Sequence, residues 1–221
     1  MYDSKTMQST QSAYIRQASG LCLDLVNPSK DSWTDEDLAI GLARTYRWGG
    51  HSTWRFPLSV AQHSLTVLAL YGAQDRQSAV RELTHDAEEA LIGGFDPITG
   101  LKPMLGSVFR DTTAKLQAVV ADRYCLAPWT VQDHTRHKHC DTLAAASEAY
   151  HVAGWSCEEI EQVLRIGLKP LDTDPLAQVF DCRPWEPWPM DIAAERFLAE
   201  LKGSGRVQHG NSALRATSFS T

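Results

Sequence analysis

Basic residues are in the minority, long apolar runs are missing, the cysteines are unpaired and strand-like alternation is scarce. Lys and Arg total 21 against 27 Asp and Glu, a formal net charge of −6 with histidines neutral. Gripping a nucleic-acid backbone takes clustered positive charge, so no stable nucleic-acid partner is expected, although a local basic patch around a small anion is compatible with this balance. No apolar run reaches the roughly 18 residues of a membrane span. The opening MYDSKTMQSTQSAY lacks the apolar centre of a signal peptide, so no membrane association is expected. The five cysteines (Cys22, Cys125, Cys140, Cys157, Cys182) are odd in number, far apart and form no Cys-x-x-Cys pair. That excludes a disulfide framework or a zinc ribbon and reads as reduced thiols in a cytoplasmic protein. No internal repeat is visible.

What is present is globular material. At 43% apolar and 22% charged residues the chain is too apolar for general disorder. Its 221 residues suffice for one large or two small domains. No linker-like break interrupts residues 14–202, which are expected to form a single domain between a flexible N-terminus (1–13) and a flexible, Gly-, Ser- and Thr-rich C-terminal tail (203–221).

The patterning predicts helices. Thr34 followed by Asp35, Glu36 and Asp37 is a helix start, with an N-cap and acids at the positive dipole end. That helix is expected to run toward Tyr46, with Gly49-Gly50 as its stop. Further helices are expected over 58–71, 77–92, 107–124 and 130–152. Ser156 with Glu159 forms a capping box opening another to about residue 166, and the last spans 191–201, stopped by Gly203. The expected class is all-α. The segment CRPWEPWP (182–189) reads as an extended strap whose tryptophans cover the core or a subunit interface.

Histidines and acids fall on these helices at informative spacings. His63 lies midway along the second and Asp141 along the fifth. His85-Asp86 open HDAEEAL in the third, and Glu89 follows at the fourth position from one and the third from the other, on their shared face. Adjacent helical residues point about 100° apart, so His85 and Asp86 reach one ion only at a seam between packed helices. Two imidazoles and two carboxylates suit one divalent cation: Mn, Co, Zn, Ni, Fe or Mg. Taken singly, each residue has a plainer reading as a packed histidine, a chance His-Asp pair or a solvated acidic face. The conjunction points to a metal.

His63, His85-Asp86 and Asp141 together resemble the signature of the HD-domain metal-dependent phosphohydrolases, most closely the branch of bacterial 5′-deoxynucleotidases and phage dATP triphosphohydrolases. The resemblance covers residues 19–150, through SGLCLDLVNP, ARTYRWGGHSTWRFPLSVAQHS, HDAEEALIGG and the Asp141 helix. It implies an HD-domain helical bundle with the metal between core helices, His63, His85, Asp86 and Asp141 being the ligands. Glu89 matches the acid that positions or deprotonates the attacking water. Arg47-Trp48 match a pair that holds the substrate phosphate and stacks on the nucleoside. Lys102 sits where members often carry a basic residue, a phosphate contact or a solvated lysine. A homo-oligomer is also implied. One departure stands out: the deoxynucleotidases carry an Asp five residues beyond the Glu, where this chain has Gly94. Asp96 lies two residues later, either as a catalytic substitute or as the cap of a turn before Pro97.

Three features stand beside these. His51, after Gly49-Gly50, is placed to touch a phosphate or to cap the preceding helix. Trp54 and Arg55 are candidates for the mouth of the site. His134, His137 and His139 surround Asp141 and read as an exposed, basic helix start rather than a second metal or phosphate site. The expected function is metal-dependent hydrolysis of a nucleotide phosphoester, by a deoxynucleoside triphosphate triphosphohydrolase or a 5′-deoxynucleotidase acting on a small-molecule nucleotide. Stringent-response hydrolases use a similar metal set but carry acidic motifs not seen here. The alternative is a non-catalytic nucleotide sensor or interaction module, which loss of a ligand or of Glu89 would favour; neither is lost.

Overall fold

The computed structural model describes residues 12–98 and 100–203; the expectations for the two terminal segments beyond these lie outside the described residues. The fold is all-α apart from one hairpin, β1 (Tyr14–Arg16) paired antiparallel with β2 (Cys22–Asp24), in the register Ile15 opposite Leu23. The helices are α1 (Asp35–Arg44), α2 (Val60–Tyr71), α3 (Arg76–Leu83), α4 (Ala87–Leu91), α5 (Gly106–Arg123), α6 (Val131–His151), α7 (Cys157–Gln162), α8 (Ala177–Phe180) and α9 (Met190–Lys202). Short 3₁₀ turns cover Arg47–Gly50 and Lys102–Leu105.

The start of α1 follows the expectation. The Thr34 side chain accepts from the Asp37 N–H while Asp37 accepts from the Thr34 N–H, which satisfies two otherwise orphaned donors. Asp37 also accepts from the Ser19 N–H at 2.8 Å and from its hydroxyl at 2.6 Å. One buried carboxylate thus ties the hairpin turn to the helix. The helix ends at Arg44, short of the glycines expected to stop it, because Thr45 is extended and Tyr46 bridges to Ser59.

The centre of the bundle is α2, apolar or small around most of its circumference and buried on all sides from Val60 to Leu68. It is capped by Ser59 and closed by Gly72 in the left-handed region, φ 59°. α1, α3, α6 and α9 pack around it, and α4 bridges α1 and α5. The 182–189 strap lies over this core. Trp185 and Trp188 are buried, and the Gln62 side chain of α2 accepts from the Trp188 N–H and donates to the Glu186 carbonyl.

The expected single helix over 77–92 is in fact two helices, α3 and α4. Thr84 donates its hydroxyl to the Val80 carbonyl, and the His85 imidazole is bonded through Nδ1 to the Glu82 carbonyl at 2.7 Å. Side chains that bond backbone carbonyls compete with helix continuation, and here they occupy the acceptors at which α3 ends. The 156–166 helix is likewise shorter than expected, stopping at Gln162. Among the described residues, no helix is long and apolar enough to cross a membrane.

The Asp37 junction yields a test of this packing. Asp37→Ala removes the acceptor that Ser19 and Thr34 share, and is expected to lower unfolding stability by about 1 kcal/mol. Urea denaturation measures it, and a change within about 0.5 kcal/mol, ordinary for an exposed surface position, would show that the junction contributes little.

Candidate metal centre

His63 projects from α2 and is fully buried. Its Nδ1 lies 2.7 Å from Glu148 Oε1, so with Glu148 ionised Nδ1 carries the donated proton and Nε2 faces inward. His85, in the break between α3 and α4, is fixed in the same way by the Glu82 carbonyl. The break removes the helical constraint that kept His85 and Asp86 about 100° apart: His85 Nε2 is 3.1 Å from Asp86 Oδ2. His63 Nε2 lies 3.3 Å from Asp141 Oδ1 and 3.7 Å from Asp86 Oδ2.

Neither Nε2 atom makes a well-formed hydrogen bond among the described residues, although both are buried. Two donors about 2.1 Å from one ion, at tetrahedral or octahedral angles, stand about 3.0–3.4 Å apart, and these contacts fall at or near that spacing. His63, His85 and Asp86 form a group able to hold a metal ion, with Asp141 at its edge. Orphaned, pre-oriented imidazole nitrogens next to carboxylates suit a divalent cation of the borderline series.

Around this group lies a cavity of about 330 Å³ lined by Arg47, Trp48, Glu89, Asp96, Lys102 and Asp141, among others. Arg47 donates from Nε to Glu148 Oε2 at 2.9 Å and stands 3.7 Å from Asp96 and 3.9 Å from Asp86. Trp48 is held at φ 57° in a tight Arg-Trp-Gly-Gly turn, a left-handed conformation that costs a bulky residue about 1–3 kcal/mol. Lys102 Nζ bonds Glu89 Oε1 at 3.0 Å. The Glu89 carbonyl accepts from both Gly94 and Phe95, a turn that brings Asp96 back beside Arg47. His51 is exposed, its N–H bonded to the Trp48 carbonyl, and is not among the cavity-lining residues; nor are Trp54 and Arg55.

The electrostatics follow from this crowding. Burial, together with the charges of Asp86 and Asp96, pushes Glu89 up to about 9 against the pull of Lys102 and Arg47. Burial likewise raises Asp96. Burial and Arg47 oppose a charge on His63, but Glu148 and Asp141 outweigh them and raise it to about 9; Asp86 and Asp141 overcome burial to raise His85 to about 8. Asp86 and Asp141 are held well below the carboxylate range, because the two imidazoles outweigh the burial.

Two of the structural partners escape sequence reading. Glu148 is buried and serves His63 and Arg47 at once; its only signal is its place seven residues after Asp141, two turns on along the same face of α6. Glu82, fully buried, bonds His137 Nδ1 at 2.7 Å. His137 therefore departs from the expected exposed helix start: it is buried against His85 and Trp129, with ring centroids 4.8 Å from each, while His134 and His139 are exposed.

The chain is 35% identical over 156 residues to an uncharacterized protein of Rhodobacter capsulatus, a match covering 68% of this chain and 79% of that one. The chain belongs to that protein's family. No family model matches it.

Ligation requires both imidazoles to be neutral. The raised values put protons on both imidazoles and on Glu89 at pH 7 without metal, so binding of Mn or Co is expected to release up to three protons per ion, falling toward none as the pH passes about 8 and 9. Titration in weak buffer with a pH indicator measures this, and metal uptake at pH 7 without proton release would remove the imidazoles from the ligand set. Glu148→Ala is expected to weaken metal binding by about 10–100-fold in chelator competition.

Proposed function

We propose that the protein is a metal-dependent hydrolase of nucleotide phosphoesters. The observation that carries this reading is a cavity lined by the carboxylates Asp86 and Asp141 and the cationic groups Arg47 and Lys102, with the buried Nε2 atoms of His63 and His85 standing 3.1–3.7 Å from those two carboxylates. Such a combination fits an anionic phosphate beside a cation. The HD-domain signature read from the sequence points the same way, to a deoxynucleoside triphosphate triphosphohydrolase or a 5′-deoxynucleotidase.

His63, His85, Asp86 and Asp141 would hold the ion, which when bound supplies Lewis-acid polarisation of a phosphoryl oxygen and a more acidic water. Arg47 orients the phosphate: its Nε is committed to Glu148, which fixes the guanidinium plane and leaves terminal N–H groups for phosphate oxygens. Glu89 receives the proton of the attacking water at Oε2, its one oxygen without a partner. Burial and the charges of Asp86 and Asp96 favour a proton on Glu89, and positive charge in the neighbouring site offsets the carboxylates and favours its release. Asp96, set 3.7 Å from Arg47 on the same cavity wall, is the acid that serves the leaving oxygen. Trp48, Ile98 and Ile166 line the same cavity and pack the nucleoside.

The test is product analysis. Deoxy- and ribonucleoside mono- and triphosphates are incubated with Mn, Co, Mg or chelator and resolved by ion exchange. Nucleoside with phosphate identifies a nucleotidase; nucleoside with tripolyphosphate identifies a triphosphohydrolase. Glu89→Gln is expected to reduce kcat by about 10²–10⁴-fold, and Arg47→Ala to raise KM. No turnover with any metal, the Glu89→Gln variant behaving as wild type, would replace the enzyme reading with the sensor module.

A further inference from the structure

A second cavity, of about 500 Å³, is larger than the one holding Arg47 and Glu89 and lies beside the same metal centre. It is bounded by the end of α3, the C-terminal half of α5, the 126–129 loop and the first turns of α6. Arg81, His134, His137 and Lys138 give it a basic wall, while Ala118, Ala121 and Leu126 give it an apolar one. No Asp or Glu is among its lining residues. Of the carboxylates behind this wall, Glu82 is matched to His137, Asp141 to Lys138 and Glu88 to Gln117.

The basic wall is pre-ordered. Arg81 donates one N–H to the Ala127 carbonyl at 2.7 Å, and its guanidinium sits 4.8 Å over the Trp129 ring. Trp129 in turn packs on His137, whose Nδ1 is fixed by Glu82. Donors held in place before a ligand arrives lose little further freedom on binding. A space of this size falls within the range of small-ligand sites. His85, a ligand in the hydrolytic reading, also lines this cavity; Arg81, Trp129, His134 and His137 have no part in that reading.

We propose that this cavity is a second ligand site, taking an organic phosphate the size of a nucleoside monophosphate. The phosphate lies against Arg81, Lys138 and His134, and the uncharged body against Ala118, Ala121 and Leu126. Lys138 lines both cavities, and its ammonium is 3.0 Å from Asp141 Oδ2. An anion that draws Lys138 toward itself removes positive charge from Asp141, so the two sites are coupled and the coupling is reciprocal. The site goes beyond the hydrolytic reading and does not require it.

The test is calorimetric titration with the phosphonate analogue of thymidine 5′-monophosphate, whose P–C bond resists hydrolysis. A binding event weakened more than about tenfold (about 1.4 kcal/mol) by Ala118→Trp and by Arg81→Glu, and kept in Arg47→Ala, is expected. Ala118 is exposed on α5, so the tryptophan fills the cavity from outside the core; circular dichroism checks both folds. Binding unchanged in both folded variants overturns the proposal. Equal affinity for thymidine without its phosphate, or for inorganic phosphate alone, overturns the assigned ligand class. Loss of an Arg47-dependent event alone bears on the hydrolytic reading and leaves this one standing.

Discussion

The carboxylate of Glu148 is the contact on which the site depends. Buried in α6, it receives Nδ1 of His63 from α2 and Nε of Arg47 from the turn after α1. A carboxylate in this position would be expensive alone, and so would either cation; the three are tolerable only together. The consequence is geometric. Glu148 decides which nitrogen of His63 is free for an ion, and it sets the guanidinium plane of Arg47 in the same stroke. In the proposed hydrolase, metal affinity and phosphate orientation share this one support.

The second constraint is the interruption between α3 and α4. A continuous helix would have pointed His85 and Asp86 about 100° apart. Thr84 and His85 instead use their side chains on the carbonyls of Val80 and Glu82. The turn brings His85 and Asp86 into contact, and α4 restarts in time to bury Glu88 and Glu89. Glu88 illustrates how tightly acid is packed here: burial and Asp86 raise it to about 7, with Gln117 on one of its oxygens. Positive charge in the cavity, whether from Lys102 or an ion, relieves that crowding.

Much of the helical framework was legible because its signals are short-range. The N-cap at Thr34, the capping box at Ser156 and the glycine stop after α9 appear where the residue patterns put them. The tryptophans of the 182–189 strap are buried as their composition suggested. The hairpin at 14–24 was not legible, since strands of three residues are too short for alternation to register. His137 was misread because its neighbours His134 and His139 are exposed, and only Glu82, on another helix, makes its burial tolerable.

The sequence by itself determined the class of the fold, the ends of most helices and the set of residues that meet around the candidate ion, because caps, periodicity and residue type act over a few positions. Tertiary structure decided the rest: which imidazole nitrogen is free, that Asp96 returns to Arg47, that His51 stays outside, and that Glu148 serves two cations at once. Those outcomes turn on contacts between residues as much as 85 and 101 positions apart, and no local pattern encodes the position of a partner that only the packing of α2 against α6 brings within reach.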